Sequence, residues 1–331
     1  MSASASTAYL LVSHGSRDPR PGQAMERLAH FVRSQETGLW ETSSRSKDRS
    51  DSKRSAPARF TSSETSLRLR RSGAPDGSQP SQADSLLGTS GLYRARISLP
   101  DAVNGPLVGT ACLETEALPL HRQIIEFSRR ASSAGAQRIR LVPLFLLAGV
   151  HVAEDIPAEV EQARQALPGV TLEVCLHLGS HPGIKGLLRQ KLQTAASKGS
   201  ILLAHGSRRP SGNDAVCALA QALGGAAAFW SVAPSLESQV IHYMQTGVQR
   251  VAILPYFLFA GTTTDAITHL TEELAERFPK MGFHLLPPLG PSPELAQLVV
   301  DLALDRVPAR VQQAPIPMQR VAFRHGVHSS T

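Results

Sequence analysis

The sequence predicts an α/β protein made of two tandem copies of a doubly wound, mainly parallel four-stranded sheet flanked by helices, with a disordered insertion in the first copy. Three observations lead there. The chain repeats itself: TAYLLVSHGSRDPR (7–20) returns as GSILLAHGSRRPSG (199–212), RIRLVPLFLLAG (138–149) as RVAILPYFLFAG (250–261), and LGSHP (178–182) as LGPSP (289–293). Within each copy, short and nearly continuous apolar runs alternate with helical patterns, as in parallel strands buried on both faces. The matched landmarks are also unequally spaced. His14 to Gly149 is 135 residues and His205 to Gly261 is 56, so the first copy carries 79 extra.

The elements follow in order. In the first copy, residues 8–15, 107–114, 138–147 and 170–179 are predicted strands, and 21–34, 119–132, 153–167 and 180–196 are predicted helices. Pro157 suits a first helical turn. In the second copy ILLAHG, AAAFWSV, RVAILPYFLFA and FHLLPPLG are the strands. Strands that alternate with helices give a parallel sheet with right-handed crossovers. Ligands of such sheets bind beyond the carboxyl ends of the strands.

The surplus falls in residues 36–105, which hold 15 serines, 11 Lys/Arg and 8 Asp/Glu, and have no apolar periodicity. Such a segment buries too little to offset chain entropy and reads as a disordered loop insertion. Residues 306–331 hold four arginines and no acid, and read as a flexible basic tail. The expected domains are therefore 1–198, with the insertion at 36–105, then 199–305, then the tail.

Composition excludes several function classes. The net charge of +7 and pI near 9.7 suggest a polyanion binder. The charge lies in the insertion and tail, however, and the other 235 residues carry 19 basic and 19 acidic groups. No nucleic-acid motif accompanies the basic segments. The longest apolar stretch, around Leu141–Val152, is far short of the ~20 residues that span a bilayer. The N-terminus MSASAS lacks a secretory pattern, and three cysteines without C-x-x-C suit a reducing cytoplasm. Neither a membrane nor a nucleic acid is therefore expected as a partner, and two fused copies imply a monomer.

The chemistry gathers at the strand ends. His14 ends the first strand, Glu114 closes the second and His151 follows the third. The first and third strands of a doubly wound sheet are neighbours at the switch point, which places both imidazoles over one crevice. Two histidines and a carboxylate there form a divalent-metal or acid–base constellation.

HGSRDPR, then CLETEALPL, then PLFLLAGVHVAEDIP, in this order, resemble the sirohydrochlorin chelatase family, the CbiX/SirB group of cobaltochelatases and ferrochelatases. The double copy resembles its two-lobed members. The resemblance implies a lyase that inserts Fe²⁺ or Co²⁺ into sirohydrochlorin for siroheme or cobalamin synthesis. The metal is then a substrate, and no permanently bound cofactor is expected. It also implies that His14 and His151 handle the metal, with Glu114 as third catalytic group. Ser16 and Arg17 would contact the polycarboxylate substrate, and Arg20, Arg208 and Arg209 would add to an anion-binding rim.

Comparing the copies places the chemistry in the first lobe. Aligned through F-L-x-A-G, His151 corresponds to Thr263. Aligned through LPLHRQII and PSLESQVI, Glu114 corresponds to Trp230. The second copy keeps only His205. The rival readings are a non-catalytic tetrapyrrole or metal carrier and a histidine-dependent phosphoryl-transfer enzyme. Against the latter, Ser13 and Ala204 stand where histidine phosphatases carry an arginine, and there is no G-x-x-x-x-G-K-[ST] loop.

Overall fold

The computed structural model describes residues 6–45, 106–115 and 117–307. Strand β1 (Ser6–Ser13), helix α1 (Pro19–Arg45), β2 (Val108–Cys112), α2 (Leu120–Ser133), β3 (Ala136–Pro143), α3 (Ile156–Gln165), β4 (Thr171–Val174) and α4 (Gly183–Gln193) form the first half. The second half repeats the order with β5 (Gly199–Ala204), α5 (Asp214–Ala222), β6 (Ala226–Phe229), α6 (Leu236–Gln245), β7 (Arg250–Pro255), α7 (Thr262–Arg277), β8 (Gly282–Leu285) and α8 (Pro293–Ala303). The sheets have the orders β2-β1-β3-β4 and β6-β5-β7-β8. Every strand pair is parallel.

This is the doubly wound architecture predicted, with the central pairs β1–β3 and β5–β7 flanking the two switch points. The apolar strands are buried on both faces: Leu10, Leu11, Val12, Ile201 and Leu203 have essentially no exposure. Several elements differ from expectation at their ends, β4 stopping at Val174 and β7 at Pro255, short of the apolar runs 170–179 and 250–260. α1 runs to Arg45, so residues 36–45, assigned by composition to the insertion, continue the helix. The rest of the insertion, and the tail from 308, lie outside the described residues. The apolar run 138–147 ends as a strand at Pro143, and residues 144–147 line a cleft instead. Apolarity there serves a wall, which sequence periodicity cannot separate from a longer strand.

The last helix of each half packs across the junction. α8 lies against α1 and β3 of the first sheet, whereas α4 reaches β7 of the second and touches α8. One apolar cluster therefore runs through both halves, from Leu11, Met25 and Leu28 to Leu202, Leu254 and Val299. Arg140 of β3 adds a polar strut, with its guanidinium 2.6 Å from the carboxylate of Asp305 beyond α8. Each strand-end edge thus faces the other over a fixed junction.

Candidate active site

The sheet register builds the site. Val12 and Ser13 pair with Ala111 and Cys112, and the ladder continues past the strands: Leu113 N donates to Ser13 O and Glu114 N to His14 O, each at 2.9 Å. Residue 114 is thereby fixed beside residue 14. Gly15 makes that approach possible, having φ +96°, and a Cβ on it would lie 2.1 Å from Glu114 O. On the other side Leu144 N donates to Val12 O, which sets the β3 loop against the same edge.

His151 opens a single π-helical turn, His151–Asp155, before α3, and Ile156 N donates to His151 O across it. Pro157 has no N–H for Ala153 O, so the wide turn meets no competing α-helical bond there. Within the turn His151 Nδ1 donates to Asp155 Oδ2 at 2.7 Å. A carboxylate only accepts, so Nδ1 carries a proton, and in the neutral ring the lone pair is on Nε2.

The predicted residues meet. His14, Glu114 and His151 each offer a ligand atom within 4.8 Å of the others. The imidazoles stand edge to face with centroids 4.8 Å apart. His14 Nδ1 is 3.9 Å from Glu114 Oε2, which gives charge attraction to a proton or cation without a hydrogen bond. All three are open to solvent or half-buried.

His14 and His151 border a cavity of about 830 Å³ between the two strand-end edges. Phe145, Leu146 and Leu147 of the first half and Phe257, Leu258 and Phe259 of the second make its apolar walls. The walls are braced: His177 Nδ1 and Gly179 N both donate to Phe145 O, and Tyr256 OH donates to Leu146 O. Burial holds the His177 imidazole below its ordinary pKa, partly offset by its bond to Phe145 O, so it is a neutral donor.

The remaining candidates divide. Ser16 lines the cavity, and its Oγ accepts from Asp18 N at 3.1 Å. Arg17 is exposed and does not border the cavity. No lysine or arginine is among the lining residues. Arg20, expected in an anion rim, is instead engaged by Asp18 and Asp265. Asp155 was not singled out in the sequence, where an acid four residues after a histidine reads as a solvated helix face. H-x-x-x-D at (i, i+4) was the only available signal.

The second half lacks the constellation. Trp230 N donates to Ala204 O and Ser231 N to His205 O, repeating the bonds of Leu113 and Glu114. The counterpart of Glu114 is therefore Ser231, not Trp230. The β6–α6 loop is one residue shorter than the β2–α2 loop, so alignment through the following helix slips by one. His205, Ser207 and Thr263 line the opposite side of the cavity.

The CbiX family model matches residues 101–195 and again 199–305. The chain belongs to the CbiX family. As a CbiX protein it has its first match beginning at residue 101, near the end of the insertion, so β1 and His14 are joined to that match by the sheet rather than by the matched residues. The chain is 24% identical over 194 residues to a sirohydrochlorin cobaltochelatase of Priestia megaterium, covering 54% of this chain and 63% of that protein. It is 29% identical over 154 residues to a sirohydrochlorin ferrochelatase of the same organism, covering 43% and 58%. It thus spans about three fifths of the length of these relatives. The fold resembles SirB from Bacillus subtilis with Fe³⁺, at TM-score 0.58 and 17% identity, over 93% of this chain and 98% of that one. Among the described residues no helix is long and apolar enough to cross a membrane.

Proposed function

We propose that this CbiX protein is a sirohydrochlorin chelatase, inserting Fe²⁺ or Co²⁺ into the macrocycle on the way to siroheme or cobalamin. The observation that carries the reading is the placement of His14 and His151, within ligand reach of each other and of Glu114, on one wall of a cavity with apolar sides. A flat tetrapyrrole has apolar faces and a carboxylate edge, which fits two apolar walls with hydroxyls between them.

Metallation must strip water from M²⁺, carry it to the ring nitrogens and remove two pyrrole protons. His151 Nε2, the ring nitrogen that points away from Asp155, suits the metal or a departing proton. His14 offers a second imidazole, and Glu114 a carboxylate to attract the cation and accept a proton. His205 with Ser207 and Thr263 would contact the macrocycle without passing metal.

Anaerobic mixing of the protein with sirohydrochlorin and Fe²⁺ or Co²⁺, followed by absorbance, tests the proposal. Acceleration over the spontaneous rate with either metal supports it. No acceleration with either overturns it, and tight binding of the macrocycle without turnover would indicate a carrier.

A further inference from the structure

The loop HGSRDPR contains two residues that the site does not use, and the second copy does not share them. Asp18 and Arg20 are replaced by Arg209 and Ser211 in HGSRRPS. At the start of α1, Arg20 donates from Nη1 to Asp265 Oδ1 at 3.0 Å and from Nη2 to Asp265 Oδ2 at 2.5 Å. Its Nε donates to both Asp18 oxygens at 3.0 Å. Asp265 lies in the first turn of α7, in the opposite half of the molecule. The paired, planar donors of arginine make this a directional contact rather than a diffuse attraction.

Asp18 reaches the same turn. α7 is preceded by Gly261, which has no side chain of its own and donates its amide to Thr264 Oγ1 at 2.8 Å. A Cβ on Gly261 would stand 3.7 Å from Asp18 Oδ2 and 3.4 Å from Pro21 Cγ, so the carboxylate lies over the start of the helix. The Asp18 carboxyl is held below the usual range by Arg20, with a smaller contribution from the Thr262 amide. The turn so fastened includes Thr262 and Thr263, which line the cavity.

The mirrored contact is missing. Arg209 and Ser211 carry no acid toward the turn at His151, and among the described residues Arg209 forms no ion pair with it. The loop is tied to itself instead, with Asn213 bonding Ser207 N and Ser207 O.

We propose that Asp18 and Arg20 are positioning residues. From the half that carries the histidines, they fasten the first turn of α7 and so fix the opposite cavity wall at the distance the ligand requires. The part concerning turnover rests on the chelatase reading; the part concerning α7 does not.

Amide hydrogen exchange on the full chain tests the second part. In Arg20→Gln and in Asp265→Asn, the amides of Thr262, Asp265 and Ala266 are expected to exchange about tenfold faster, while those of β1 and β7 are unchanged. The double variant should add little to either single one, and Arg122→Gln, away from the clasp, should leave α7 unchanged. In the chelation assay both variants should raise KM for the macrocycle by about tenfold with kcat within about twofold, since the histidines are untouched. Unchanged exchange in both variants, or a fall in kcat at constant KM, overturns the proposal. Should Arg20→Gln fail to fold, Asp265→Asn, with its half-exposed side chain, carries the test. A wild-type protein that does not chelate, together with the exchange response in the variants, keeps the clasp and sinks the chelatase reading.

Discussion

Asp155 Oδ2 lies 2.7 Å from His151 Nδ1 inside a single π-helical turn, and this contact fixes which nitrogen of His151 is free. Asp155→Ala removes the acceptor and lets the ring rotate and exchange tautomers. Groups that orient a metal-handling histidine are worth about 10–100-fold in metal affinity. Calorimetric titration with Co²⁺ should show a loss of that order. Unaltered affinity would mean that His151 is oriented by the backbone turn alone.

Gly15→Ala tests how His14 and Glu114 are brought together. The new methyl group meets Glu114 O at 2.1 Å on a backbone with φ +96°. Strain of this kind costs about 1–3 kcal/mol, so a denaturant midpoint should fall. Because relief requires Glu114 to move, metal affinity should fall with it. A variant that keeps both would show that the loop passes residue 114 with room to spare.

Stability should depend on pH through the half-buried His177 and the buried His181. Burial lowers the pKa of His177 and of His181, the latter partly offset by the Asp301 carboxylate 3.7 Å away. Above the ordinary histidine value of about 6.5 neither folded nor unfolded chain holds the proton, and stability is flat. As pH falls below it, the unfolded chain binds protons that the folded chain refuses, so stability declines. Thermal unfolding between pH 8 and 5 should show that decline, and His181→Gln should flatten it. A stability that rises on acidification would contradict the burial of these rings.

Cutting the chain at 198/199 should not give two folded domains. α8 places Leu295, Leu298, Val299 and Leu302 in the shared core, each worth about 1.5–3 kcal/mol when fully buried. Residues 1–198 lose that cover and should show no cooperative thermal transition by circular dichroism. A sharp transition at the full chain's temperature would show that the exchanged helix is dispensable.

The sequence disclosed the sheets because the buried strands, such as YLLV and ILLA, are continuous apolar runs, and it disclosed His14 and His151 because both follow such runs. It concealed four things for physical reasons. An amphipathic helix such as α8 shows which face is apolar but not which sheet will cover it. The counterpart of Glu114 depended on hydrogen-bond register, which a one-residue difference in loop length shifts from Trp230 to Ser231. Arg20 looked like a free cation because its partner Asp265 is 245 residues away. Asp155 was hidden by the wide turn, which gives an ordinary surface spacing a specific contact.

Under the proposed function, metal transfer belongs to the first half of the molecule. Single-turnover chelation of sirohydrochlorin by Fe²⁺ or Co²⁺ in His14→Ala, His151→Ala and His205→Ala tests it most directly. Loss of either first-half histidine is expected to slow the reaction by about 10²–10⁴-fold, the range for a positioned acid–base group, with His205→Ala within a few-fold of wild type. Near-normal rates in both His14→Ala and His151→Ala, or a greater loss in His205→Ala, would contradict the account.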